Sequence, residues 1–363
     1  MSETDQPFLT LHEIVRAAYD RTERNIWDYI VGATETETTA RRNRHALDRV
    51  AFRPRVLRDV SKIDTSGQFF GRPSRLPIAL APVGGLESIG RDGEILVARA
   101  ASEFGVPFFL SSVTKVSMED VAAAAPSGSK VFQLYVRGDA ASTDDYVRRA
   151  RDSGYDAFCL TVDTAIYSRR ERDIARRFVK PWRERAGGMD FQAALSWSEV
   201  RRLKDKHDVR LILKGIATAE DAEVACQHGV ESIYVSNHGG RQLDHGRGTL
   251  DILPEIVAAV AGRAKIIVDG GFCRGTDIVK AMALGADTVG IGRLYCYGLA
   301  AAGTEGVRRV LELLEAEVFA CLGLLGVNAF EELDRSYVCP AEAVTPPHVL
   351  SAFPLISLPV EQY

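Results

Sequence analysis

The sequence has no apolar run approaching membrane-spanning length, so no helical membrane span is expected. It has no marked excess of either charge: Lys plus Arg is 45 and Asp plus Glu is 49, a formal net charge of -4. That balance points away from nucleic acid and anionic membranes as partners. There is no CxxC pair and no cysteine–histidine grouping at metal-ligand spacing. The six cysteines (Cys159, Cys226, Cys273, Cys296, Cys321 and Cys339) are scattered, several of them in apolar runs. They read as reduced, mostly buried thiols of a cytoplasmic protein that holds no metal. The opening MSETDQPFLTLHE is polar and acidic, unlike a signal peptide, and the final VEQY is not a recognised address tag. The dinucleotide fingerprint GxGxxG is also missing, because the first apolar strand ends Ala81-Pro82-Val83-Gly84-Gly85.

What is present is a repeat. With 363 residues, 46% of them hydrophobic, the chain can build one large α/β barrel or two smaller domains. From residue 76 it alternates short apolar strands with amphipathic helices. The strands are expected at Leu76–Val83, Pro107–Ser112, Lys130–Val136, Ala157–Asp163, Arg210–Gly215, Ser232–His238, Lys265–Gly271 and Thr288–Arg293. Helices are expected at Gly93–Phe104, Ser117–Ala125, Thr143–Ser153, Ser198–Lys206, Ala219–His228, Leu250–Ala261, Gly275–Leu284 and Thr304–Leu322. The strands are continuously apolar, as in a parallel sheet covered by helices. Eight such units predict an α/β fold, a (β/α)8 TIM barrel over 76–340. A helical segment at 1–75 has too little apolar surface to fold alone and is expected to pack on the barrel. An apolar, proline-rich tail at 341–363 extends beyond it and is expected to pack on the barrel or on a neighbouring subunit.

In a TIM barrel the chemistry sits at the C-terminal strand ends. Here those ends carry Gly84, Ser111, Gln133, Tyr135, Asp163, Lys214, His238, Arg241, Asp269 and Arg293. Singly, each has a bland explanation: a layer-filling side chain, a helix cap, a structural ion pair, a Gly-rich turn. Together they favour an active site. The run Ser236-Asn237-His238-Gly239-Gly240-Arg241 places a proton-transfer group beside a two-pronged carboxylate clamp. The sixth strand should present both. Strands seven and eight end in Asp269-Gly270-Gly271 and Gly290-Ile291-Gly292-Arg293, the two loops where TIM barrels commonly bind phosphate.

These residues resemble the FMN-dependent 2-hydroxy-acid oxidases and dehydrogenases, a family that includes glycolate oxidase, lactate oxidase, mandelate dehydrogenase and hydroxymandelate oxidase. The resemblance rests on Ser236–Asp244 (SNHGGRQLD), supported by Phe132–Tyr135, Leu160–Thr164, Arg169–Ile174, Leu213–Gly215 and Asp269–Gly271, and spans almost the whole chain. It implies an FMN enzyme that oxidises an (S)-2-hydroxy acid to a 2-oxo acid, with oxygen or another electron acceptor. His238 is then the base and Asp163 its partner. Arg241, Arg170 and Tyr29 bind the substrate carboxylate, and Tyr135 sits near the substrate hydroxyl. Lys214 lies by the flavin N1–C2=O edge. Ser111, Gln133 and Thr161 contact the ring, with Ala81, Pro82 and Val83 lining its other side. Asp269 holds the ribityl chain; Gly270, Gly271, Gly292 and Arg293 hold the phosphate. The family also implies a homotetramer.

Four departures bear on substrate and cofactor. Val113 follows Ser111-Ser112 where many members carry an aromatic residue, which suggests a bulky or aromatic substituent on the substrate. Gly84 replaces a common alanine, which suggests extra space beside the flavin. The segment between Arg170 and Trp197, with Lys180-Pro181-Trp182 and Arg183-Glu184-Arg185, is short, which suggests a more open site and no membrane insertion. Cys273 stands where an arginine is usual, leaving Arg274 to compensate at the phosphate. Two other readings remain at this level: the same barrel acting on a specialised carboxylate metabolite, and a flavin-binding protein without turnover.

Overall fold

The computed structural model describes residues 7–178 and 188–358. The two charged clusters of the short segment, Lys180 to Arg185, and the final VEQY fall largely or wholly outside the described residues. Three helices lead: α1 (Leu11–Arg21), α2 (Arg24–Val31) and α3 (Thr38–Asp48). Thr10 caps α1 by accepting from the Glu13 N–H, and Leu11, Ile14, Val15 and Ala18 form its buried stripe. Helix α3 is strongly polar, yet Asn43 and Arg44 on it are buried, because it lies across the barrel mouth rather than in solvent.

Eight parallel strands close the barrel: β1 (Ile78–Leu80), β2 (Phe108–Ser111), β3 (Lys130–Leu134), β4 (Ala157–Thr161), β5 (Leu211–Ile216), β6 (Ser232–Val235), β7 (Lys265–Val268) and β8 (Thr288–Ile291). Neighbours follow sequence order, and β8 returns to β1 through Val289 beside Ile78. All eight expected strands are present, seven of them shorter than the apolar run and β5 of equal length but shifted by one residue. The outlying residues of each run form the loops that carry the chemistry. Inside the barrel Ala79, Phe109, Val131, Ala157, Cys159, Ile212, Tyr234 and Ile267 form a separate apolar cluster.

Three features escaped the pattern. A hairpin, Gly67–Phe69 with Arg72–Ser74, drives Phe69 into the N-terminal end of the barrel, edge-on to Phe109 at 6.0 Å. Val50–Phe52 pairs antiparallel with Val338–Pro340, tying the leading segment to the end of the barrel. The last helix starts at Arg293 and runs to Leu325, kinked at Ala302 and Gly303, so the expected start at Thr304 marks only its second half. Two short helices, Glu171–Ala175 and Met189–Ala193, also lie between β4 and β5.

The tail packs back on the barrel. Leu350 and Phe353 are buried, and the Phe353 ring meets His12 of α1 at 5.8 Å and Tyr297 at 6.4 Å. Burying two such side chains contributes about 3–6 kcal/mol before ordering costs. Among the described residues no helix is long and apolar enough to cross a membrane.

Candidate active site

The loop after β6 sets the site. His238, Gly239 and Gly240 all take positive φ (60°, 62° and 77°). Glycine adopts this readily, whereas a histidine does so only when held. Here the hold is explicit: the His238 N–H donates to Ser236 Oγ at 3.0 Å, and the Asn237 side chain accepts from the Gly240 N–H at 3.2 Å. A Cβ at Gly240 would collide with the backbone of Ala40 on α3, so the loop and the leading segment fit only with glycine there.

This coil aims the imidazole. His238 Nδ1 lies 3.0 and 3.2 Å from the two Asp163 carboxylate oxygens at the end of β4. Nε2 lies 3.0 Å from the Tyr135 hydroxyl beyond β3. A carboxylate only accepts, so Nδ1 carries the hydrogen and Nε2 presents its lone pair to the cavity. Burial lowers the His238 pKa below its ordinary value, and Lys214 lowers it further; the opposing pull of Asp163 does not make up the difference. Desolvation of the imidazolium outweighs the attraction of Asp163. Burial alone would raise the Asp163 pKa, but His238 and Lys214 bring it below the usual carboxylate value. The resting pair is a neutral base on an ionised partner.

Arg241 and Arg170 converge on the same cavity. Arg241 Nη1 donates to the carbonyls of Tyr29 (2.7 Å) and Gly32 (2.6 Å) at the end of α2, and its guanidinium lies over the Tyr29 ring at 4.8 Å. Burial, then the neighbouring Arg170, bring its pKa down to about 10. Two adjacent cations make this a site in want of an anion. The Tyr29 hydroxyl donates to the Gly84 carbonyl at 2.7 Å, and burial pushes its pKa up to about 12.

The cofactor residues divide into two sets. Ala81, Pro82, Val83, Lys214, Asp269, Gly270, Gly271, Gly292 and Arg293 line the cavity. Lys214 Nζ donates to Ser236 Oγ at 3.0 Å and stands 3.7 Å from Asp269. Ser111, Gln133 and Thr161 are buried at the strand ends without lining it. Gln133 Nε2 donates to Thr161 Oγ1 at 2.9 Å, while its Oε1 is a buried acceptor with no partner among the described residues. That orphaned oxygen, the glycine-lined far end and the lysine suit a ring with polar edges on a phosphate-bearing chain, as in FMN.

Two expected phosphate contacts are placed differently. Arg274 does not line the cavity: it ion-pairs with Glu317 and donates to the Ala352 carbonyl of the tail at 3.4 Å. Arg293 lines it, but its guanidinium is bound to the carbonyls of Ile30 (3.0 Å), Gly239 (3.0 Å) and Gly32 (2.9 Å). The cation beside Gly271 and Cys273 is Arg44 of α3, which donates to the Gly271 carbonyl at 3.1 Å and grips Asp277 at 2.7 and 2.8 Å. Nothing local in the sequence of this polar helix marks one of its arginines as buried. Arg137, Tyr167, Met189 and Val349 also line the cavity unforeseen. The space expected from Gly84 is filled as well, for a Cβ there would lie 2.8 Å from that of Val113.

Comparison with known proteins agrees with this geometry. Residues 18–340 match the FMN-dependent dehydrogenase family. Glycolate oxidase 3 of Arabidopsis thaliana is 38% identical, the match covering 94% of this chain and 98% of that protein. 4-Hydroxymandelate oxidase of Amycolatopsis orientalis is 40% identical over 89% of this chain and 96% of that one. A crystal structure of a mandelate oxidase variant with 2-hydroxy-phenylacetamide is similar at a TM-score of 0.86 and 40% identity, covering 93% of this chain and all of that one. Another mandelate oxidase variant, holding a C4a-OH-FMN adduct, matches at 0.84. The barrel, the His238–Asp163 pair and these relatives place the chain in the FMN-dependent 2-hydroxy-acid oxidase and dehydrogenase family, an oxidoreductase acting on CH–OH with FMN as its cofactor.

Proposed function

We propose that this enzyme oxidises an (S)-2-hydroxy acid with a bulky or aromatic substituent to the corresponding 2-oxo acid, with His238 as the base. The observation that carries the reading is the imidazole itself: Nδ1 is fixed on Asp163, and Nε2 faces the cavity as an unprotonated acceptor, taking a hydrogen bond from the Tyr135 hydroxyl at 3.0 Å. Arg241 and Arg170 take the substrate carboxylate, which relieves their mutual repulsion. Tyr29 flanks the same carboxylate. Tyr135 holds the substrate hydroxyl against Nε2, and Nε2 takes one proton as the C–H and O–H bonds give way to a carbonyl, the other hydrogen leaving with the electron pair. Asp163 holds the imidazolium that results. Bound FMN supplies the acceptor for the electron pair, with Lys214 placed to balance negative charge on the ring. Ala81, Pro82 and Val83, with Gln133, Ser111 and Thr161 behind, would hold the ring. Asp269 and the glycine loops would hold its chain and phosphate.

The electrons pass on to oxygen, as the oxidase names of the relatives suggest, or to another acceptor. We read the protein as a cytoplasmic homotetramer. Val56, Leu57 and Leu324 are exposed, on two segments joined by the Arg55 N–H donating to the Leu325 carbonyl at 3.1 Å, and would offer an apolar face to a second copy; sedimentation velocity reads the oligomeric state. The activity test is an anaerobic titration of the FMN-loaded enzyme with lactate, mandelate and phenyllactate. Bleaching by the aromatic acids, lost in His238→Ala while the variant stays yellow, supports the reading. Normal bleaching in that variant refutes the role of His238.

A further inference from the structure

Among the described residues five arginines line the cavity: Arg44, Arg137, Arg170, Arg241 and Arg293. Four have partners. Arg44 is paired with Asp277 and Asp48, Arg293 is bound to three carbonyls, and Arg241 to two. Arg170 contacts the Arg241 carbonyl, Gln242 and the Tyr167 ring. Arg137 is the exception: among the described residues it makes no hydrogen bond, ion pair or ring contact.

Its position gives that isolation a meaning. Arg137 lies two residues beyond Tyr135 on the segment leaving β3, so the two Cα atoms are at most about 7 Å apart. Strands run toward the barrel mouth, so Arg137 stands further out than the tyrosine at the substrate hydroxyl. The wall there is fixed. Gln192 of the helix Met189–Ala193 accepts from the Val136 N–H at 2.7 Å and donates to the Thr161 carbonyl at 2.8 Å. Gly188, at φ 81°, passes so close to the Arg137 carbonyl that a Cβ would not fit. Arg137 is therefore presented at the rim beside Met189, on a clamped stretch of chain.

We propose that Arg137 is a specificity-determining residue that pairs with a second anionic group at the far end of the substrate's substituent. The substrate class is then a 2-hydroxy acid carrying a distal carboxylate or an equivalent anion. This rests on the 2-hydroxy-acid reading above. Arg170 and Arg241 take the carboxylate next to the reacting carbon, and the separation of Arg137 from Tyr135 fits an anion several bonds further on. A distal anion would complete the one lining cation that the described residues leave unpaired.

The test uses length-matched pairs on the FMN-loaded enzyme: (S)-2-hydroxyvalerate against (S)-2-hydroxyglutarate, and (S)-mandelate against (S)-4-carboxymandelate. Anaerobic flavin reduction gives the limiting rate and the half-saturating concentration for each. The diacid of at least one pair is expected to be favoured by about 10- to 100-fold in rate over half-saturation. Most of that lies in the half-saturating concentration, because Arg137 touches no reacting atom. Arg137→Met should erase the advantage and leave the neutral partner unchanged, and Arg137→Lys should restore part of it. Equal handling of both members of both pairs overturns the proposal, as does a variant that slows neutral and diacid substrates alike. If neutral members bleach the flavin and diacids do not, the proposal fails while the 2-hydroxy-acid reading stands. If no member bleaches it, the reading itself falls, and this proposal with it.

Discussion

Replacing Asp163 with asparagine tests the base assignment without emptying the site. The carboxylate sits 3.0 and 3.2 Å from His238 Nδ1, and both side chains are 13% exposed. When Nε2 takes the substrate proton, the pair becomes imidazolium and carboxylate about 4 Å apart between charge centres, an attraction of about 4 kcal/mol at the effective dielectric of such sites. Asparagine keeps the shape and removes the charge. Retaining a neutral hydrogen bond recovers about 1 kcal/mol, leaving a net loss of about 3 kcal/mol in the step that charges the imidazole. That predicts flavin reduction slowed by about 100-fold. The asparagine amide can also donate to Nδ1, which would put the hydrogen on Nε2 and slow the step further. Anaerobic stopped-flow with the best acid of the panel reads the rate directly, and the flavin spectrum before mixing reports that the site is intact. A rate within about threefold of the native enzyme, with a normal flavin spectrum, would refute the argument that the charge of Asp163 supports the proton transfer.

Other expectations follow from the same contacts. Because His238 has its pKa lowered by burial, reduction should be flat at neutral pH and fall only as the pH drops below the ordinary histidine value of about 6.5; a pH series of stopped-flow traces checks this, and a fall beginning above pH 7 would contradict it. The same shift acts on stability. The folded state resists protonation, so the His238 contribution is present above about pH 6.5 and is lost as the pH falls toward the lowered folded value, which melts at pH 5.5 and 7.5 of native and His238→Gln would compare. Gly84→Ala should destabilise by about 1–3 kcal/mol because its Cβ meets Val113, and Val113→Ala in the same chain should relieve most of it in thermal melts. Removing residues 348–363 deletes Val349 from the cavity and the Leu350 and Phe353 anchors. Release of FMN, followed by the rise in free-flavin fluorescence, should quicken by about 10-fold or more, and an unchanged rate would show that the tail does not help retain the cofactor.

The barrel was legible because β-strands buried on both faces must be continuously apolar, and eight such runs leave few other folds. His238, Asp163, Tyr135, Arg170 and Arg241 were legible for a related reason. They stand at strand ends or in the loops that follow, so once the strands are counted their convergence follows. What stayed hidden depends on contacts between distant segments. The hairpin carrying Phe69 and the pairing of Val50–Phe52 with Val338–Pro340 use three-residue strands, too short for a period to show. Arg274 and Arg44 show the same limit in charge. Both are arginines near the phosphate loop, but Glu317 and the tail carbonyl hold one away while Asp277 holds the other in place. Local sequence cannot say which acid a given arginine will meet. The direction of the His238 shift was not legible either, because the burial that lowers it comes from packing and has no letter in the sequence.

Arg293 sits where β8 becomes the last helix, and it holds carbonyls of residues 263 and 261 positions earlier, Ile30 and Gly32, together with Gly239 of the His238 loop. During synthesis those early carbonyls leave the ribosome long before the arginine that fastens them. Until residue 293 has emerged, α2 lacks this clasp and keeps only its ties through Arg241 and through the Tyr29 hydroxyl, and β8 has not yet closed the barrel. The active site is thus among the last parts of the molecule to exist. A chain arrested before β8 holds most of the residues needed for oxidation but lacks the closed barrel and the Arg293 clasp that set them around the cofactor.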